Sequence, residues 1–338
     1  MSQPLLEVTN LRVDIASPRG TVQAVRGASL SLLPGEFHGI VGESGCGKST
    51  LLRALLGLLP ASAHVTAGEI RFKDTIFTGQ SYPRVARLRG NTIGMIFQEP
   101  LTALNPVMKV GDQIAEAPRW RLGYSSKAAR ERALELMRRV GIPDAARRYD
   151  AYPHQLSGGL RQRVLIAMAL SAEPEILLCD EPTTALDVTI QDQILRLLES
   201  LAAEGQLSVI YVTHDLAVVA RICNRVSVMY AGQIVEEGTV SSVYRQPGHP
   251  YTAGLLSAVP DTRHRSLLLT PISGSPPDLV APPPGCPFHP RCQYRQPDCA
   301  AGDFPLREIA HGHHTACRYS DLIHRPEVAV PPQPGALA

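Results

Sequence analysis

The run Gly42-Glu43-Ser44-Gly45-Cys46-Gly47-Lys48-Ser49 has the spacing G-x-x-x-x-G-K-[ST], a pattern built for a polyphosphate. Its glycines let the backbone turn tightly, with N–H groups aimed inward. Lys48 brings positive charge to the β- and γ-phosphates, and the Ser49 hydroxyl suits Mg²⁺. The phosphate-contacting stretch is read as Gly42 to Thr50, with Cys46 inside it, so a thiol reagent should inactivate and a bound nucleotide should protect. A second chemical signal is Ile176-Leu177-Leu178-Cys179-Asp180-Glu181, an apolar run that ends in two acids. Asp180 fits a Mg²⁺ role and Glu181 a general base for a hydrolytic water.

These residues need elements to hold them. Phe37 to Val41 reads as a buried strand before the loop, and Ser49 to Leu59 as a helix after it, its positive end facing the anion. Leu5 to Leu33 alternates apolar and polar residues, as antiparallel strands do. Gly68 to Phe72 and Ile93 to Phe97 are further strands, the latter followed by a Pro-containing loop, Gln98 to Pro106. Val110 to Ala169 is mostly helical, with Ala133, Leu134, Met137 and Val140 marking one apolar face. Strands and helices then alternate: Ile176–Cys179, Ile190–Glu204, Val209–Val212 and Leu216–Ile222. A hairpin of Val226–Met229 and Gly232–Val235 ends this part. The pattern predicts an α/β protein with a mostly parallel sheet.

The chain has 338 residues, 44% hydrophobic and 19% charged, with a formal net charge of +2. That balance gives no electrostatic case for nucleic acid. No apolar run approaches the roughly 18 to 20 residues that span a bilayer, and no signal segment is read before Leu5. The expected location is the cytoplasm, with membrane association only through partners.

Leu156-Ser157-Gly158-Gly159 precedes a helix and forms a second possible anion cradle. Here the sequence resembles the ATP-binding subunits of ABC transporters, whose signature is LSGGQ or a close variant. The resemblance covers roughly residues 5 to 250. It implies a core with a mostly parallel sheet, an antiparallel β subdomain and a helical arm at about residues 99–170. It also implies ATP and Mg²⁺ as ligands. Ser49, Gln98 and Asp180 then serve Mg²⁺, Glu181 and His214 act in hydrolysis with Gln98, and Leu156 to Gly159 close on ATP held by a second subunit. The loop Thr184 to Asp187 crosses the dimer interface through Asp187. The family's adenine-stacking aromatic has no counterpart in Pro18 to Val25, and Arg19 is the substitute on this reading.

Two features resemble the dipeptide/oligopeptide importer branch: Phe97 to Pro106, and an extension carrying His249-Pro250-Tyr251-Thr252 and Gly285-Cys286-Pro287. The expected organisation is an ATP-binding domain at residues 1–250, a Cys-rich domain at 251–325 and a disordered tail at 326–338. Cys286, Cys292, Cys299 and Cys317 sit as C-x5-C-x6-C-x17-C. Zn²⁺, an iron–sulfur cluster or no metal are the three readings, and the resemblance favours a [4Fe–4S] cluster. The nearby His311, His313 and His314 read as an exposed loop. Implied partners are a second, paralogous ATPase subunit, two transmembrane permease subunits and, through them, an extracytoplasmic solute-binding protein. The chain would lie peripherally on the cytoplasmic face of the plasma (inner) membrane and energise import of peptides. Alternatives are import of nickel or another non-peptide solute, and a soluble ABC-type ATPase of repair or translation. One phosphate loop and a short gap between Gln98 and Ser157 argue against the last.

Overall fold

A computed structural model describes residues 3–90, 92–183, 186, 188–204, 207–258 and 272–323. In chain order the strands among them are β1 (Leu6–Ser17), β2 (Gly20–Leu32), β3 (Phe37–Val41), β4 (Ala63–Phe72), β5 (Thr75–Thr78) and β6 (Ile93–Ile96). After these come β7 (Ile176–Asp180), β8 (Ser208–Thr213), β9 (Arg225–Tyr230), β10 (Gln233–Thr239), β11 (Arg307–Ala310) and β12 (His313–Thr315). The chain divides into two compact units, residues 1–85 with 211–338, and residues 86–210.

The first unit holds an antiparallel sheet in the order β2-β1-β4-β5. Strands β1 and β2 bury one face and wet the other, which their alternating residues dictate. By contrast, all five residues of β3 are buried. A run buried throughout suits a strand covered on both sides, and β3 pairs in parallel with β9, its His38 meeting the Ser227 hydroxyl there at 2.8 Å. From β9 the sheet continues through antiparallel neighbours, β10, β12 and β11. The β9–β10 hairpin is the one read in the sequence.

The last two strands were not anticipated. His311 to His314 is a turn entering β12, with Gly312 at φ 66° and His313 only 2% exposed. The expectation of an exposed histidine loop is therefore wrong for His313. Its Nε2 lies 2.8 Å from Oε1 of Glu236, a fully buried carboxylate on β10. Glu236 also accepts from the backbone N–H of Gly248 at 2.6 Å and of His249 at 2.9 Å. A buried carboxylate survives when its lone pairs are filled in this way.

In the second unit β6 pairs in parallel with β7. The helices between them include Val110–Arg121, Ser126–Arg139, the short Ala145–Arg148, and Gly158–Leu170. Ser125 caps the second, its Oγ accepting from Ala128 N at 3.2 Å. Of the expected apolar face, Ala133, Met137 and Val140 are fully buried while Leu134 is half-buried, and Ala129 and Leu136 join the buried side. Gly111 lies hard against Tyr149. A Cβ there would sit 2.2 Å from the ring. Tyr149 donates to Asp112 at 3.0 Å, and the Arg130 guanidinium covers its face at 3.9 Å. Burial, then the bond to Asp112, pushes the phenol up to about 12.

Candidate functional site: a phosphate cradle, an acidic strand end and a thiol-lined cavity

In the first unit, β3 ends at Val41 and the helix Lys48–Leu55 begins after six intervening residues. Gly42 to Gly47 make the turn. Gly47 sits at φ 108°, and a Cβ on it would approach Ala24 O to 2.2 Å, so any side chain would break the loop. Ser44 and Gly45 are exposed, and Ser49 and Thr50 are half-buried. Lys48 folds back on the loop, its Nζ donating to the carbonyls of Gly42 at 2.7 Å and Glu43 at 3.0 Å. Such a turn presents N–H groups and an ammonium to an anion at a helix start.

Cys46 points inward, 6% exposed, and burial pushes its thiol up. Thiolate is the reactive form, so this burial works against the expected inactivation by thiol reagents. His214 is exposed just past β8, and Asp215 behind it caps the helix Leu216–Ile222, accepting from Ala217 N at 2.8 Å. Arg19, at the β1–β2 turn, pairs with Asp278 and is 77% exposed. Its guanidinium edge is engaged there.

In the second unit, β7 carries five buried residues and ends on Asp180, which is 1% exposed. Glu181 follows at φ 46°, a left-handed conformation that a non-glycine residue adopts at a cost of about 1–3 kcal/mol. Its Oε2 accepts from Gln98 Nε2 at 3.5 Å, which brings together two of the residues expected to act on water. Ser157 caps the helix Gly158–Leu170, its Oγ near Leu160 N at 3.4 Å. Ser157 and Gly158 are exposed while Leu156 is buried, which leaves the cap open on its outer side. Asp187, the expected interface residue, lies outside the described residues.

Cys286, Cys292, Cys299 and Cys317 line one cavity with Phe288, Tyr294, Phe304 and Tyr319. The sulfurs of Cys299 and Cys317 accept backbone N–H groups of Gln296 and Tyr319, each at 3.4 Å. Burial pushes the thiol of Cys286 up to about 11 and that of Cys317 up to about 12. As they stand, no group of three or more His, Cys, Asp or Glu among the described residues is arranged to hold a metal ion. The four soft donors and their N–H···S bonds fit a thiolate-bound metal, but the arrangement would have to tighten around one.

Two residues around the phosphate loop were not read as functional. Tyr251, completely buried, accepts the N–H of Glu43 at 2.7 Å, and Arg291 grips the Glu43 carboxylate with two nitrogens, at 2.6 and 3.0 Å. Tyr251 lies in the stretch His249 to Thr252 already singled out, whereas Arg291, next to Cys292, carried no sequence signal of its own.

A strand, phosphate loop and helix, with an acidic strand end and a Ser-capped Gly-Gly helix, define an ATP-binding cassette. The chain belongs to the ABC transporter family. The family model described as ABC transporter matches residues 25–184, and that of the oligopeptide/dipeptide transporter C-terminal region matches residues 235–299. Among curated relatives, the dipeptide transport ATP-binding protein DppD of Bacillus subtilis is 53% identical over 88% of this chain and 89% of its own. The oligopeptide transport ATP-binding protein OppD of the same organism is 46% identical over 95% and 89%. Among solved structures, the ATP-binding cassette MJ0796, a dimer in a post-hydrolysis state bound to ADP and Pi, matches with a TM-score of 0.62. It is 29% identical, over 70% of this chain and 98% of that one. Among the described residues no helix is long and apolar enough to cross a membrane.

Proposed function

We propose that this chain is the ATP-hydrolysing subunit that energises import of peptides through a membrane ABC transporter. The observation that carries the reading is the likeness to the dipeptide protein DppD, which runs through both the cassette and the extension. The MJ0796 dimer supports a working unit of two cassettes, here with a paralogous partner. On this reading Gly42 to Thr50 hold the phosphates of ATP, and Ser49, Asp180 and Gln98 serve Mg²⁺. Glu181 takes the proton from the attacking water, with Gln98 beside it, and His214 contacts the γ-phosphate. Ser157 with Gly158 and Gly159 closes on ATP held by the partner subunit, and Asp187 crosses that interface. Arg19 stacks on adenine through its free face. When bound, Mg²⁺ would supply charge neutralisation to the phosphates. Closure on ATP is read by two permease subunits, fed by a solute-binding protein, with the chain on the cytoplasmic face of the inner membrane.

Cells carrying Glu181→Gln in place of the native residue should lose peptide uptake, while the chain still copurifies with membrane-spanning subunits. Native uptake in that strain sinks Glu181 as the base. Failure of the native chain to bring down membrane-spanning subunits sinks the importer reading itself.

The same reading assigns Cys286, Cys292, Cys299 and Cys317 to a [4Fe–4S] cluster, which when bound would cross-link four points of the extension. Anaerobically purified protein should be brown, with broad absorption near roughly 400 nm and bound iron. Stoichiometric zinc without iron would replace the cluster by a structural zinc site.

A further inference from the structure

Arg291 belongs to the extension, yet all five of its N–H groups are placed around one residue of the phosphate loop and its surroundings. Its Nε donates to Ser273 O at 2.9 Å. One terminal nitrogen donates to Glu43 and, at 3.3 Å, to the Tyr230 hydroxyl. The other donates to Glu43 and, at 3.4 Å, to Ile272 O. The side chain is 5% exposed and that of Glu43 27%. This is the forked, desolvated geometry in which an Arg–carboxylate pair is strongest. Beneath it, the rings of Tyr230, Tyr251 and Phe288 lie 4.5 to 5.4 Å apart and hold the Tyr251 hydroxyl on the N–H of Glu43.

Glu43 is thus held by both its side chain and its backbone. Its carbonyl, with that of Gly42, receives the Lys48 ammonium. The Glu43 N–H is already given to Tyr251, so within the Gly42 to Thr50 stretch Glu43 serves the phosphates through Lys48. Any shift of Glu43 moves the seat of Lys48.

We propose that Arg291 and Tyr251 are positioning residues of the nucleotide site: they fix Glu43, and through its carbonyl they set where the Lys48 ammonium meets the β- and γ-phosphates. This makes the extension a structural part of the phosphate cradle in its own chain. The inference rests on the reading of Gly42 to Thr50 as that cradle.

The test is equilibrium titration of the full-length chain with a fluorescent ATP analogue, competed by ATP, ADP and AMP, beside a thermal melt of each variant. Tyr251→Phe removes one hydroxyl and keeps the ring. Glu43→Gln and Arg291→Gln remove the paired charges one at a time. Each single variant should bind ATP and ADP roughly tenfold more weakly, with AMP affinity unchanged, since only the longer nucleotides reach Lys48. The double variant Glu43→Gln/Arg291→Gln should be no weaker than either single one, as coupled partners are non-additive. Should Arg291→Gln fail to fold, Tyr251→Phe and Glu43→Gln decide. Native ATP affinity in those variants, at a native melting temperature, overturns the proposal. So does a loss that is equal for AMP and ATP, which is what a general loosening would give. If the native chain itself binds no nucleotide, the cradle reading falls instead.

Discussion

Glu36 keeps a negative charge where burial opposes it. Its side chain is 6% exposed, yet its carboxyl lies below the ordinary carboxylate value. Burial is the largest single influence and pushes upward. His38, the Leu33 N–H at 2.7 Å and Arg225 at 3.2 Å together outweigh it. A carboxyl lowered in the folded state binds its proton later than the unfolded chain does. Its stabilisation is therefore full above the unfolded value and is lost as pH falls through the folded one. Urea unfolding between about pH 3 and 6 should show stability falling with acid below about 4.3, with a shallower fall in Glu36→Gln. An equal slope in both proteins would remove Glu36 from the account. Nothing in the sequence announced this residue, because its partners come from positions 33, 38 and 225. The motif residues were legible for the opposite reason. Gly47, Lys48 and Ser49 act through a loop whose chemistry is local to one short run. Even there, the left-handed Glu181 and the inward turn of Cys46 depend on surroundings that a pattern of residue types does not contain.

Gln113 does at the level of an element what Arg291 does at the loop. It is 4% exposed on the helix Val110–Arg121. Its Oε1 accepts from Asn105 N at 2.9 Å, and its Nε2 donates to the carbonyls of Asn105 at 2.9 Å and Met108 at 3.0 Å. The segment that follows Gln98 is thereby tied to the next helix. Gln113→Met keeps the bulk and strands three backbone groups, so it should cost about 1–3 kcal/mol. Denaturant unfolding of the variant measures this, and a loss below about 0.5 kcal/mol would mean that the loop finds other partners. Element identities were largely readable because β7 and β8 are built on apolar runs, Ile176 to Cys179 and Val209 to Val212, and the helices have the right spacing. On the helix Ser126–Arg139 the expected face holds except at Leu134, which is half-buried while Leu136 is fully buried, a choice set by what packs against it. The β11–β12 hairpin escaped notice because Arg307 to Thr315 is rich in charged and histidine residues. Its pairing to β10 is carried by the buried carboxylate of Glu236, which lies some eighty residues away.

Across the whole molecule, the extension completes a sheet that would otherwise end at β10. Strand β12 pairs with Glu236 and Glu237 of β10, and β11 then stands at the margin. The new margin is only four residues long and carries Arg307 and Glu308, two features that discourage pairing with another chain. Strand β10 is longer, at seven residues, and its Ile234, Val235 and Glu236 are buried in the intact chain. A version ending at Ser257 should therefore lose solubility and self-associate, which size-exclusion chromatography against the full-length chain would reveal. A clean monomer would show that β10 tolerates an open margin. The hairpin thus acts as a selvedge, the finished border of a fabric that would otherwise unravel into its neighbours. Proteolytic clipping between the cassette and the hairpin would then harm the cell through aggregation as well as through lost activity.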